Sequence, residues 1–311
     1  MKVAVTPWSV GSNWFAEDLC EQAVLAEAMG FHSFWLPENH FGDSRAIPSP
    51  LTLLATVAGC TTRIKLGTTS YLLTIRHPIQ AAEEVATLDQ LSRGRLILGV
   101  GRGVHEAMFE VYKVPLKEKR LTFQTNLEAM QKAWRGLPIY ESSDGKSNDS
   151  DSKKQIYLSP LPFQKPYPPI WIAAFGPLAL KQAGNLGFPY LASPIETLEV
   201  LKQNYEKHTQ ALALAKHNPA DTIPVMRTVF INKNKGIIEA LRKELENVPG
   251  RTSESKVENW AIIGDSIYVY DKIQEYREVL GMTHLIARGR LPGISKEVQI
   301  KSHEHLIKIT S

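Results

Sequence analysis

Short apolar runs alternate with longer amphipathic stretches along most of the chain. The runs are at most seven residues long and several are rich in β-branched residues, which is typical of buried strands. They predict eight strands: Lys2–Thr6, Ser33–Leu36, Ile64–Thr69, Leu96–Val100, Ile170–Ala174, Pro189–Leu191, Val225–Ile231 and His284–Ala287.

The amphipathic stretches between these runs predict helices. Two of them end close to a glycine, Gly30 and Gly94, a residue typical of helix C-termini. The predicted helices are Phe15–Met29, Pro50–Cys60, Pro78–Leu91, Leu121–Trp134, Pro177–Leu186, Thr197–Leu214, Ile237–Leu245 with Ile267–Leu280, and Ser295–Ile307.

Eight strands alternating with helices predict a parallel sheet, and 311 residues are enough for one closed barrel with insertions. We therefore expect an α/β fold, a (β/α)8 TIM barrel that occupies residues 1–311 as a single domain. A doubly wound sheet is the alternative. It usually has fewer units and a phosphate-binding loop after its first strand, and the sequence has no such loop there.

Residues 142–154 depart from this pattern because they include no large apolar side chain. Such a segment cannot bury apolar surface, so we expect a mobile insertion between the fourth and fifth predicted strands. The proline-rich stretch Pro160–Pro169 that follows predicts an extended connector into the fifth strand.

Composition and charge argue against several classes of protein. No apolar run approaches the length of about 20 residues that a membrane span needs, and Pro7 comes too early for a signal peptide, so we expect a cytoplasmic protein. The net charge of +4 is not gathered into a basic stripe, so nucleic-acid binding is not indicated. Cys20 and Cys60 lack metal-ligand spacing and are expected to be small buried side chains, not a disulfide or a metal site.

The functional site of such a barrel lies at the carboxyl ends of its strands. The most informative of these ends is Gly99–Gly103, with the spacing G-x-G-x-G. The glycines could simply allow a tight exit from the strand, or they could let an anion or a flat ring approach the backbone beside Arg102. Arg102 could instead pair with Glu106, four residues later.

Two other strand ends carry candidate chemistry. Ala174–Pro177 begins a helix, whose first main-chain N–H groups can bind an anion, and beside Arg102 this predicts a phosphate site. His40 follows the second strand in a polar loop. A histidine there is a candidate for proton transfer, although it could also be an inert surface residue.

A series of short motifs follows in order along nearly the whole chain. They are Trp35–Phe41, Gly67–Thr69, His77–Pro78, Ala81–Glu84, Leu88–Ser92, Gly94–Arg95, Gly99–Gly103, Pro166–Trp171, Ile263–Asp265 and Leu280–His284. Their order and spacing together resemble those of the bacterial luciferase-like monooxygenases.

The resemblance implies a flavin-type cofactor, either reduced FMN supplied by a separate flavin reductase or the deazaflavin F420. It also implies a non-proline cis peptide bond at Thr69–Ser70 or Ser70–Tyr71, and a homodimer. The cofactor-binding residues that it implies by position are Thr69, Ser70, Tyr71, Gly101, Arg102, Gly103, Val104, Phe175 and Gly176.

The catalytic residues that the resemblance implies are Asn39 and His40. The catalytic histidine of luciferase corresponds to Asn39, and that of F420-dependent relatives corresponds to His40. Aldehyde oxidation with light emission is therefore not expected, and Asn39 could donate a hydrogen bond to an oxyanion or peroxide. Luciferase has hydroxyl side chains where this chain has Gly176 and Ala179, so main-chain N–H groups would contribute more to phosphate binding.

These features favour an FMN-dependent monooxygenase that uses O2 on a small organic substrate, in an apolar pocket lined by residues such as Trp8, Phe41 and Tyr71. An F420-dependent hydride transfer, with His40 as acid or base, is the alternative. A flavin-binding protein without turnover is a third possibility, and the intact set of strand-end residues argues against it. A lyase or hydrolase without a redox cofactor would need a lysine or paired carboxylates at strand ends, and no convincing set is found.

Overall fold

A parallel sheet curled into a barrel organises the computed structural model, which describes residues 1–9, 16–41, 46–141, 155–246 and 256–311. The strands are β1 (Lys2–Val5), β2 (Ser33–Leu36), β3 (Lys65–Thr68), β4 (Tyr71–Leu72), β5 (Leu96–Gly101), β6 (Tyr140–Glu141), β7 (Gln155–Ile156), β8 (Ile170–Ala173), β9 (Tyr190–Leu191), β10 (Pro224–Ile231), β11 (Ala261–Gly264) and β12 (His284–Arg288).

Helices cover the outside of the sheet. They are α1 (Ala16–Met29), α2 (Pro50–Cys60), α3 (Pro78–Leu91), α4 (Glu106–Val111), α5 (Lys119–Trp134), α6 (Pro177–Asn185), α7 (Leu198–Leu214), α8 (Lys235–Glu246), α9 (Ser266–Leu280) and α10 (Lys296–Thr310), with short 3-10 turns at Leu73–Ile75, Leu116–Glu118 and Val257–Asn259.

The order of the strands confirms the predicted barrel. Hydrogen bonds join them in parallel in the order β11-β10-β12-β1-β2-β3-β5-β8-β9, and β4 also pairs with β5. The eight predicted strands correspond to β1, β2, β3, β5, β8, β9, β10 and β12. The sequence did not predict the two-residue strands β4, β6 and β7, which are too short to show a period, nor α4 and β11.

Alternate residues of the strands fill the inside of the barrel. One buried cluster combines a residue from each of seven strands: Ala4, Trp35, Ile97, Trp171, Leu191, Met226 and Ile286. The indole rings of Trp35 and Trp171 stack with their centroids 4.9 Å apart. The residues on either side of these positions, such as Leu285 and Ala287, belong instead to the larger core between sheet and helices.

Side chains close the barrel where main-chain hydrogen bonds do not. No ladder among the described residues joins β9 to β10. The hydroxyl of Tyr205 lies 3.3 Å and 2.7 Å from main-chain oxygens of β9 and β10. The buried guanidinium of Arg227, on β10, donates to the main-chain oxygens of Ser193 and Glu196 over 3.1 Å and 2.8 Å. These contacts fix the loop that follows β9.

The two cysteines are free thiols and are only half-buried, which differs from the burial expected of them. Burial and a hydrogen bond with Cys20 raise the pKa of the Cys60 thiol to about 12, so it is protonated at neutral pH. In the described part of the chain, none of the helices is long and apolar enough to cross a membrane.

His303, on α10, lies in a buried aromatic environment. Its ring packs edge-on against Trp8 and Phe31, with centroid distances of 4.9 Å and 5.7 Å. Neither ring nitrogen has a hydrogen-bond partner among the described residues. Desolvation lowers the pKa of His303 to about 4, so the ring is neutral at pH 7. Trp8, expected in an apolar substrate pocket, packs against this histidine.

We predict that His303 makes the fold sensitive to acid. Unfolded histidine has a pKa of about 6.5, so as the pH falls towards 4 the unfolded state gains a proton before the folded state does. This linkage should cost on the order of 2–3 kcal/mol of unfolding free energy at pH 4.5 relative to pH 7. Denaturant unfolding of His303→Met at both pH values should show that much less pH dependence than the parent. His305→Met, an exposed position on the same helix, is the matched control, and equal pH dependence in all three proteins would contradict the prediction.

The predicted insertion, residues 142–154, lies outside the described residues. Its two flanks are described, because β6 and β7 pair antiparallel with Tyr140 opposite Ile156 and Glu141 opposite Gln155. The residues that flank the predicted insertion therefore lie next to each other.

We predict that 142–154 can be replaced by the dipeptide Asn-Gly, which joins antiparallel strands in a two-residue turn. Shortening a polar loop changes the entropy of loop closure only slightly, so the melting temperature should be nearly unchanged. A variant with 142–154 in scrambled order controls for composition. A large loss of thermal stability in either protein would show that the segment packs on the fold.

Candidate functional site

A cavity of about 800 Å³ opens at the carboxyl ends of β3, β5, β8 and β9. Its lining includes seven of the nine residues expected to bind a cofactor: Thr69, Ser70, Gly101, Arg102, Gly103, Val104 and Phe175. Strand ends separated by more than 100 residues in the sequence meet here because the strands are parallel. Of the other two, Gly176 adjoins Phe175 and Tyr71 faces a different pocket.

Gly101, the last residue of β5, allows close packing against the segment that follows β3. A side chain on Gly101 would collide with the hydroxymethyl group of Ser70, and Gly103 has a φ of +77°. The Thr69–Ser70 peptide bond is cis, at one of the two positions that the resemblance implied. The tight strand exit is therefore confirmed, and it also leaves bare backbone on the cavity wall.

Four cationic side chains contribute to the cavity lining: Arg102, Lys117, Lys119 and Arg120. Asp and Glu are absent from the lining formed by the described residues. Arg102 donates to the neutral amide oxygen of Gln182 over 3.3 Å. It forms no ion pair with Glu106 within the described residues, so the alternative pairing is wrong. Burial and the nearby Arg120 cation lower the pKa of Arg102. This uncompensated positive charge favours an anionic ligand.

The start of α6 adds to the positive potential. Phe175, Leu178 and Ala179 line the cavity, and Gly176 precedes the helix with a φ of +81°. The first main-chain N–H groups of a helix lack intrahelical acceptors and carry a partial positive charge. The helix start therefore reinforces the cationic side chains.

Most of the remaining lining is apolar. It comes from Leu72, Leu116, Leu191, Ile195 and Met226. Ser193, Pro194 and Ile195 form one wall, which Arg227 fixes from behind through its hydrogen bonds to Ser193 and Glu196. A cavity with cations and apolar walls suits a ligand that combines a flat apolar ring with an anionic group. Trp8, Phe41 and Tyr71 do not line it, which corrects the expected pocket.

A smaller pocket of about 310 Å³ contains the candidate catalytic histidine. The fully buried carboxylate of Glu38 lies 2.7 Å from Nε2 of His40 and 2.7 Å from Nη1 of Arg76. It also accepts the main-chain N–H of Leu72 over 3.0 Å. The Tyr112 hydroxyl lies 3.1 Å from the other ring nitrogen of His40, Nδ1. Both ring nitrogens are thus engaged, and Glu38 fixes the orientation of the ring.

Tyr71 is a buried structural member of this second pocket. Its hydroxyl donates to Glu84 over 2.7 Å, and the guanidinium of Arg76 lies 4.0 Å from the centre of its ring. Burial raises the pKa of Tyr71 despite the nearby Arg76 cation, so its hydroxyl stays protonated. The contact expected between Tyr71 and a cofactor remains a prediction. The position of Tyr71 in the second pocket does not favour it.

Asn39 is exposed and joins the two sides of its loop. Its Oδ1 accepts the main-chain N–H of Ile47 over 3.0 Å, and its own N–H donates to the oxygen of Ile47 over 3.0 Å. The neighbouring Phe41 is exposed and lies beside Tyr112. The catalytic role expected of Asn39 remains a prediction, and the described contacts show a loop-forming role.

The sequence missed several residues that shape these pockets. The sequence assigns no role to Arg76, and nothing in it marks Tyr112. The run Lys117–Arg120 is recognisably basic, but it begins 15 residues after Arg102, so the sequence does not connect the two. Only the fold shows that the cations share one cavity.

Comparison with known proteins is consistent with this architecture. The sequence pattern of the luciferase-like monooxygenases matches residues 9–245. The chain belongs to the luciferase-like monooxygenase family. The resemblance seen in the sequence is confirmed.

Individual relatives match the chain at low sequence identity. The alkanal monooxygenase alpha chain of Photorhabdus laumondii is 25% identical over 217 residues, which cover 68% of this chain and 58% of that protein. The chain spans about half the length of the first curated relatives that it matches.

Two solved structures illustrate the fold. The oxygenating constituent of 3,6-diketocamphane monooxygenase from Pseudomonas putida, in complex with FMN, has a TM-score of 0.80 at 20% identity and covers 99% of this chain and 97% of its own. The coenzyme F420-dependent tetrahydromethanopterin reductase of Methanopyrus kandleri has a TM-score of 0.74 at 20% identity, with coverages of 99% and 97%. At this identity the likeness shows the fold alone.

Proposed function

We propose that this protein is an FMN-dependent monooxygenase that binds reduced FMN in the 800 Å³ cavity and uses O2 on a small organic substrate. The observation that carries the proposal is that the cavity combines four cations with apolar walls, and that its described lining contains no carboxylate. A phosphate would neutralise the cations, and an isoalloxazine ring would cover the apolar surface.

The residues of this cavity fit such a cofactor. Its volume is within the range of about 300–1,000 Å³ that is usual for ligand and cofactor sites. Arg102 would donate charge-assisted hydrogen bonds to the phosphate, and the first turn of α6 would supply main-chain N–H groups. The glycine backbone after β5 would face the ring or the ribityl chain.

When bound, reduced flavin would supply the reaction with O2, and the protein would supply binding, orientation and exclusion of water. Leu72, Leu191 and Met226 exclude water from the inner walls. Arg227 holds the Ser193–Ile195 wall in place. His40, oriented by Glu38, would transfer the proton that accompanies the flavin chemistry.

The proposed partners are a small-molecule substrate, O2, a separate flavin reductase and a second copy of the chain in a homodimer. The Pseudomonas putida protein of the same fold is the oxygenating constituent of its monooxygenase, which supports delivery of reduced flavin by another protein. Binding to nucleic acid or membranes has no place in this proposal.

An F420-dependent hydride transfer is the second candidate. The His40–Glu38 pair at 2.7 Å supports it, because a histidine held by a buried carboxylate can act as the acid or base of such a reaction. The F420-dependent reductase of the same fold is consistent with it.

We predict that the Arg102→Ala variant binds flavin more weakly by about 1.5–3 kcal/mol, the range for hydrogen bonds to charged groups. Fluorescence and absorbance titrations of FMN, reduced FMN and F420 into the parent protein would first show which of them binds. Arg63→Ala, at an exposed position before β3, is the matched control. If the parent binds none of the three, the proposal fails; if Arg102→Ala binds as tightly as the parent, Arg102 does not hold the phosphate.

We predict that His40→Ala lowers turnover about 10²–10⁴-fold, the usual contribution of a positioned acid or base, and changes flavin affinity only a few-fold. His40→Asn should not restore turnover, because an amide does not titrate. A limb of the parent's pH–rate profile should be lost in both variants. Tyr112→Phe removes the hydroxyl near Nδ1 but keeps the aromatic ring, and it shows whether that contact matters. If His40→Ala keeps turnover within a few-fold of the parent, His40 only lines the pocket and takes no part in the reaction.

A further inference from the structure

Arg288 is the last residue of β12, and the strand directs it into the barrel mouth. Ile286 belongs to the cluster inside the barrel, whereas Leu285 and Ala287 pack on the helical side. Side chains alternate along a strand, so Arg288 lies on the same inner face as Ile286 and one layer closer to the mouth.

Arg288 lies one layer towards the mouth from the cavity residue Met226, on the neighbouring strand, and across the barrel from Arg102. Met226, which lines the cavity, is in register with Ile286, and Arg288 follows two residues later, opposite Thr228. Arg102 follows β5, and β5 is four strands from β12 in the order β12-β1-β2-β3-β5. In a ring of eight, that separation is half the circumference. One phosphate held at Arg102 therefore cannot also neutralise Arg288.

Arg288 has no acidic partner within the parts of the chain that the structure describes. Three other inward or half-buried arginines have oxygen partners: Arg76 binds Glu38, Arg95 binds the oxygens of Ala58 and Ile64, and Arg227 binds the loop after β9. Burial and the nearby Arg290 cation lower the pKa of Arg288. A partly desolvated cation of this kind is costly unless an anion reaches it.

We propose that Arg288 binds an anionic group of the substrate, a carboxylate or a group of similar shape and charge, opposite the flavin phosphate. This proposal rests on the proposed function, because it assigns the flavin to the Arg102 side of the cavity. A planar guanidinium pairs with a carboxylate through two parallel hydrogen bonds, which would orient the substrate over the barrel mouth.

The test uses carboxylates and their neutral amides: benzoate with benzamide, and octanoate with octanamide. Each is titrated into flavin-loaded and flavin-free protein and followed by tryptophan fluorescence and by the absorbance of the bound flavin. In the parent, at least one carboxylate should bind about tenfold or more tightly than its amide, as expected for a charge-assisted pair. The preference should disappear in Arg288→Met. It should persist in Arg277→Met, which removes an exposed charge from α9.

The flavin affinity of each variant distinguishes a failure of the Arg288 proposal from a failure of the proposed function. It should change by no more than about threefold in Arg288→Met, because the phosphate lies across the barrel. Absence of any carboxylate preference in the parent, or its persistence in Arg288→Met, would overturn the role of Arg288. A loss of flavin affinity in Arg288→Met would assign the residue to the cofactor and also overturn the proposal. If the parent binds no flavin, the proposed function fails, while the titrations of flavin-free protein still test Arg288.

Discussion

The barrel depends on a closure that the described main-chain hydrogen bonds do not make. β9 has only two residues and forms no ladder with β10 among the described residues. Arg227 spans the gap by donating to main-chain oxygens of the loop after β9. The Tyr205 hydroxyl also spans it, because it lies near main-chain oxygens of both β9 and β10. Buried carbonyl oxygens and a buried guanidinium each need a partner, so each satisfies the other. The same contacts fix a wall of the cavity, and closure of the fold thereby shapes the candidate site.

Charge in the interior follows two patterns. Glu38 is surrounded by His40, Arg76 and a main-chain N–H, and these contacts offset the desolvation of its buried carboxylate. Arg102 and Arg288 have only neutral or like-charged neighbours among the described residues. Both lie at strand ends that face the mouth of the barrel. Under the two proposals, an anionic ligand at each of these cations would supply the missing charge and so stabilise the protein.

Proton transfer and cofactor binding would use adjoining but distinct pockets. His40 and Tyr112 line the smaller pocket, whereas the cations line the larger one. The segment near Tyr71 and Leu72 connects them, since Leu72 lines the cavity and also donates its N–H to Glu38. A change at the carboxylate would therefore reach both pockets through the main chain as well as through the histidine.

The sequence by itself determined the alternation of strands and helices, the barrel, the family and the strand-end motifs. Each of these depends on short-range periodicity or on local order and spacing. Only the tertiary structure decided which side chains meet. Lys117, Lys119 and Arg120 line the same cavity as Arg102, whereas Trp8 and Tyr71 do not line it. Asn39 binds the main chain of its own loop. These outcomes depend on the register and curvature of a closed sheet, which bring together residues far apart in the chain and which no local pattern records.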